Sequence, residues 1–121
     1  MNKNIINRAF FGKDSAFKVN LTKKGECYFN IGKKDGKKWV WTKAKMNDLE
    51  LAQIIFVLEG SSKKVSFYHQ FQGDKTQIWI TTQDSFVFIK IDELSKRLNK
   101  AEQQVLKVLI EHCVLRMNME F

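Results

Sequence analysis

Two short stretches restrict this chain more than any other feature. Asn47-Asp-Leu-Glu50 and Asn99-Lys-Ala-Glu102 both read as capping boxes, an asparagine able to cap a helix with a glutamate three residues on. They stand 52 residues apart, and each follows a run of strand-like segments. Strands followed by one helix, written twice, predict an internal duplication. The first helix has Leu51, Ile54, Ile55 and Leu58 at i, i+3, i+4 and i+7, with Gly60 to close it. The second has Leu106, Leu109, Ile110, Cys113 and Met117 along one stripe. The expected fold is therefore α+β, with antiparallel sheets and two packed helices. It forms a single domain over residues 1–121, with repeats of about 8–60 and 61–121.

The strands are read from alternation. Residues 1–7 read as a loose polar start, followed by a short apolar run, Arg8–Gly12. In 16–22, Phe17, Val19 and Leu21 point one way, with Lys18, Asn20 and Thr22 the other. After a Lys23-Lys24-Gly25 turn, Cys27, Phe29 and Ile31 point inward and Tyr28 outward. In the second repeat, Val65, Phe67, His69 and Phe71 share the apolar side of a strand, opposite Tyr68. Gln77–Thr82 sets Ile78 and Ile80 against Trp79, and Ser85–Ile91 sets Val87, Ile89 and Ile91 against Phe86, Phe88 and Lys90. Asp92–Leu98 reads as a polar link.

Between the first strands and the first helix lies KKDGKKWVWTKAK, residues 33–45, with six lysines and one acid, which is +5 of the chain's net +8. Its Asp35-Gly36 pair is a strong hairpin signal. Lys33, Lys34, Lys37 and Lys38 fall at the tip, and Lys38–Met46 forms a strand. Trp39, Trp41, Lys43 and Lys45 share one face of that strand. Val40, Thr42, Ala44 and Met46 share the other, which is the better candidate for the core. Flat rings beside ammonium groups suit bases that stack and phosphates that need neutralising. Two tryptophans in a strand are also ordinary core residues, and lysines at a turn are ordinarily just solvated.

Arg8, Arg97 and Arg116 are the three arginines, so eighteen of the 21 basic residues are lysine. Lysine is a mobile point charge suited to phosphate, whereas arginine is the planar fork that reads guanine edges. Backbone attraction is thus favoured over sequence readout. No apolar run approaches the roughly 20 residues needed to span a bilayer. The N-terminal residues lack the pattern of a secretory signal. Cys27 and Cys113 are the only cysteines and show no metal-ligand spacing, so a reduced, intracellular protein is expected: cytoplasm, nucleoid, or an organelle if a transit segment has been removed. No paired carboxylates, glycine-rich phosphate loop or His–Cys–acid cluster points to catalysis, a metal or another cofactor. His69 reads as a hydrogen-bonded core histidine. His112 and Cys113 are helical neighbours about 100° apart, which argues against a dyad.

With these residues in place, the chain resembles the Whirly family of single-stranded DNA-binding proteins and the related trypanosomal mitochondrial RNA-binding proteins. The similarity runs over roughly residues 17–117. Lys38-Trp-Val-Trp-Thr-Lys43 before the first capping box is similar to the family's aromatic-Trp-Ser-basic segment, and Ser66-Phe-Tyr-His69 to its Phe-Phe-His. Asp84-Ser-Phe-Val-Phe88 is similar to its phenylalanine-rich strand, and Asn99-Lys-Ala-Glu102 to the opening of its last helix. Gly12, Lys13 and Ala16 correspond to part of its Lys-Gly-Lys-Ala-Ala signature, while its proline-rich loop and Gly-Trp ending have no counterpart.

The resemblance implies single-stranded nucleic acid, DNA ahead of RNA, held with little sequence specificity, and a homo-oligomer, tetramer or dimer. The candidate stacking rings are Tyr28, Trp39, Trp41, Tyr68, Trp79, Phe86 and Phe88. The candidate phosphate contacts are Lys13, Lys18, Lys33, Lys34, Lys37, Lys38, Lys43, Lys45 and Lys90. The alternative is a non-enzymatic interaction or assembly module in which the same rings dock another protein chain.

Overall fold

The computed structural model describes residues 4–119. The elements run β1 (Asn4–Phe11), β2 (Ser15–Thr22), β3 (Cys27–Asp35), β4 (Lys38–Met46), α1 (Asp48–Glu59), β5 (Lys64–Phe71), β6 (Asp74–Gln83), β7 (Phe86–Ile91), β8 (Leu94–Leu98) and α2 (Lys100–Met117). They make two four-stranded antiparallel meanders, β1-β2-β3-β4 and β5-β6-β7-β8, each followed by one helix. The α+β class is as the sequence predicts.

Local chemistry accounts for the boundaries. Both capping boxes form: Asn47 and Asn99 each accept from the glutamate N–H three residues on, while Glu50 and Glu102 accept from the cap N–H. Gly60 ends α1 at φ 87°, a left-handed position that glycine adopts without steric cost. Asp35 pairs with Lys38, so Gly36 and Lys37 are the two loop residues. Gly36, at φ 66°, suits the first position of such a turn.

The inner faces of both sheets and one stripe of each helix form a single apolar cluster that includes Phe17, Val19, Leu21, Phe29, Ile31, Ile78, Ile80, Ile89, Leu51, Ile54, Leu106 and Ile110. The two halves interlock. Helix α1 follows the first sheet but packs on β5, β6 and α2. Cys113 of α2 lies beside Cys27 of β3 in this core, and that neighbour, with burial, raises the Cys27 thiol pKa and keeps the thiol protonated. The two cysteines are far apart in the chain and neighbours in the core.

Five expectations need correction. The polar start is not loose: apart from residues 1–3, which lie outside the described part, it belongs to β1, which pairs with β2 from Asn4. The polar link contains β8, whose Leu98 is fully buried. Three of its five residues are Ser, Lys and Arg, which suit a short edge strand and hide it from a hydrophobic scan. Val57 joins the buried stripe of α1, while Ile55 and Leu58 are only partly covered. Val40 is 53% exposed although it shares the face of buried Ala44 and Met46, because it lies near the hairpin tip beyond the covering core. Phe71, at the far end of β5, is 72% exposed for the same reason.

Candidate nucleic-acid interface

Among the described residues, each sheet turns one face into the core and has no covering layer on the other. On the first sheet, strand register arranges the open face in rows. Asn7, Asn20, Tyr28 and Lys45 form one; Ala9, Lys18, Asn30 and Lys43 the next; Phe11, Ala16, Gly32 and Trp41 a third; Lys34 and Trp39 lie beyond. Trp41 sits over Gly32, where an added Cβ would come within 2.9 Å of its ring. Trp39 stacks beside Trp41 at 6.0 Å, and Phe11 meets Trp39 edge-on at 5.7 Å. The result is a three-ring patch at one end of the face, half-covered by itself.

Basic side chains already lie over the rings. Lys18 Nζ is 4.6 Å from the centre of Trp41, and Lys43 Nζ is 4.5 Å from that of Tyr28. Lys45 instead pairs with Glu26 at 2.8 Å; that hydrogen bond and charge hold the Glu26 carboxyl below its ordinary range and raise Lys45. Not all the lysines of the tip join this face. By alternation Lys34 shares it, whereas Lys33 and Lys38 are on the side of Val40 and Lys37 is in the turn.

The second sheet repeats the device. Ser66, Trp79, Lys90 and Ser95 form one row of its open face, and Lys64, Thr81, Phe88 and Arg97 the next, with Phe86 beyond and Tyr68 toward the other end. Lys90 Nζ stands 5.1 Å from the centre of Trp79, and Arg97 4.6 Å from that of Phe86. Arg97 and Lys64 were not among the predicted site residues, because the segment holding Arg97 read as a link and Lys64 as a connector.

Lys13 lies in the β1–β2 loop and lines a hollow with Phe88, Lys96 and Arg97 of the second sheet. That loop borders a series of shallow hollows. Gly32, Lys33, Asp14 and Ser15 line one end, Ser95 and Phe88 the middle, and Trp79, Thr81 and Lys64 the other end. His69 lies outside these faces, its Nε2 2.6 Å from Glu50 Oε2, which ties β5 to the start of α1. His112 is exposed where Cys113 is buried. Among the described residues, no group of three or more His, Cys, Asp or Glu side chains is placed to hold a metal ion, and no helix is long and apolar enough to cross a membrane.

No family model and no curated protein sequence matches this chain. Among solved structures, the crystal structures of MRP1/MRP2 from Trypanosoma brucei align over 91% of this chain and 85% of that one, with a TM-score of 0.56. The two share a fold. Identity to MRP1/MRP2 is 14%, so the likeness extends to the arrangement of sheets and helices and leaves the side chains on the open faces as this protein's own.

Proposed function

We propose that this protein binds single-stranded nucleic acid across its two open sheet faces, bases against the rings and phosphates against lysine and arginine. One observation carries the proposal: four rings on uncovered faces, Trp41, Tyr28, Trp79 and Phe86, each hold a basic head group within about 5 Å. A nucleotide needs that pair of groups at that spacing, a π-face for the base and a cation for its phosphate. A base arriving on the ring displaces the cation, which is then free to meet the phosphate or the polar edge of a neighbouring nucleotide. The motifs similar to Whirly and trypanosomal mitochondrial RNA-binding proteins, and the fold shared with MRP1/MRP2, support the same class of partner.

The proposal is one of binding without catalysis. Affinity rests on charge and stacking, the part of recognition that accepts any base. Self-association is part of the reading, and outward-facing Leu49 and Phe56 on α1, with Val105, Val108 and Leu115 on α2, are its candidate surface.

Quenching of tryptophan emission by short oligonucleotides tests it. A single strand should bind with a log–log salt slope near −3.5 for about five neutralised phosphates. A duplex of equal length should bind far more weakly, because paired bases cannot offer their faces. Equal affinity for duplex and single strand at about 0.15 M salt overturns the proposal, and so does binding indifferent to salt, the signature of an aromatic protein–protein contact.

A further inference from the structure

Asn30 lies on the open face of the first sheet, yet only 6% of it is exposed. Its amide nitrogen donates to the Lys18 carbonyl at 3.3 Å and to Asn20 Oδ1 at 2.7 Å. Asn20, 9% exposed, passes its own N–H on to Asn7 Oδ1 at 2.7 Å. A backbone carbonyl has no hydrogen to give, so the amide nitrogen of Asn30 must be the atom facing it. Both donors of Asn30 are therefore engaged, and the acceptor Oδ1 is the group left for a ligand.

Strand register sets Lys18 directly across from Asn30 on β2 and Lys43 directly across on β4. With both lysine head groups swung into line with Asn30, the row would read ammonium, carbonyl oxygen, ammonium: donor, acceptor, donor. In the free protein the two ammonium groups rest on Trp41 and Tyr28, which belong to the rows on either side. A base entering edge-first would have a ring on each flank and this triplet beneath it.

We propose that Lys18, Asn30 and Lys43 read the Watson–Crick edge of uracil or thymine, a preference that rests on the single-strand reading above and adds to it. That edge runs O4, N3–H, O2, which is acceptor, donor, acceptor, the complement of the row. Cytosine and adenine place a ring-nitrogen acceptor against Asn30 Oδ1, two lone pairs facing each other. Guanine supplies a central donor but sets its amino group against one ammonium. Only the uracil and thymine edge satisfies all three positions. The edge is common to RNA and DNA, so the row does not choose the sugar.

The test compares pyrimidines, whose rings stack over equal areas. Tryptophan quenching is titrated at one salt concentration with oligouridylate, oligothymidylate, oligocytidylate and oligodeoxycytidylate of one length, and with an oligouridylate methylated at N3. Uridine and thymidine strands should bind about tenfold tighter than cytidine strands of the same sugar, the scale of one matched against one clashing edge. N3-methylation should erase the advantage. Lys18→Met with Lys43→Met keeps the aliphatic stems on the surface and should bring uridine down toward cytidine. Asn30→Leu should do the same, and if it fails to fold, the methylated strand still decides. Equal affinity for uridine and cytidine strands, or no effect of N3-methylation, overturns the reader while leaving the proposed function standing. If no single strand binds, both fall. The ratio of uridine to thymidine affinity shows which polymer the protein is suited to.

Discussion

Residues 4–46, which hold the first sheet, carry eleven basic side chains against three acidic ones; residues 61–98, which hold the second, carry six against four. The two sheets have the same meander and the same number of strands, and both set basic heads over rings. They differ in what surrounds those pairs. Around Trp39 and Trp41 stand Lys18, Lys34 and Lys43, whereas Trp79 pairs with Ser66 and Lys90, and Phe88 with Thr81 and Arg97. Each open face carries four basic residues and four rings, so the extra charge of the first sheet lies mostly at its turns and hairpin tip. The first sheet should govern capture and salt sensitivity, and the second the binding that survives salt.

The largest expected effect comes from the rings. Trp79→Ala with Phe88→Ala, or Trp39→Ala with Trp41→Ala, should each cost about 2–6 kcal/mol of binding if every lost ring held one base. At high salt the second-sheet pair should remove most of what remains, and titration of both double variants at two salt concentrations checks this. Next comes the salt slope itself. Replacing Lys18, Lys34 and Lys43 by glutamine should flatten it by about 2.1, against about 1.4 for Lys90 and Arg97 together. Equal flattening per sheet would break the contrast.

A smaller effect sharpens the difference in how the tryptophans are seated. Gly32→Val puts a side chain where the Trp41 ring lies and should cost about 1–3 kcal/mol of stability, read by thermal melting, with loss of the Trp41 contribution to quenching. Trp79 lies across from Ser66 and Lys90, so the second sheet has no equivalent seat to block.

The smallest effect is the pH dependence of the Glu26–Lys45 bridge. Glu26 is lowered below 4.5 in the fold, so its contribution is present above that pH and fades as pH falls through the folded value. Lys45 is raised above 10.5, so its contribution is present below that pH and fades as pH rises through the folded value. Glu26→Gln should therefore alter a melting-temperature profile only by removing a small acid limb and a small alkaline one, with a flat offset between.

Much of this architecture was legible because it rests on local rules. The capping boxes, the glycine turns and the alternation of Phe17, Val19, Leu21 and of Cys27, Phe29, Ile31 each need only neighbouring residues to be recognised. So did the shared face of Trp39, Trp41, Lys43 and Lys45. What escaped depends on partners far along the chain. Strand β8 is polar in itself and becomes a strand by pairing with β7, which also brings Arg97 beside Phe88. The Asn7–Asn20–Asn30 ladder requires three strands in register, and each asparagine alone looks like a solvated residue. The shortfall on Val40 and Phe71 has one physical origin: alternation reports which face a residue takes, but not how far along the strand the core extends.

The basic heads resting on Trp41, Tyr28, Trp79 and Phe86 bear on how the free molecule behaves in company. Two copies that meet open face to open face present like charges before any indole can touch indole. Such a surface should keep its apolar platforms dispersed at concentrations where bare rings would clump, and, under the proposed function, would yield them only to a polyanion.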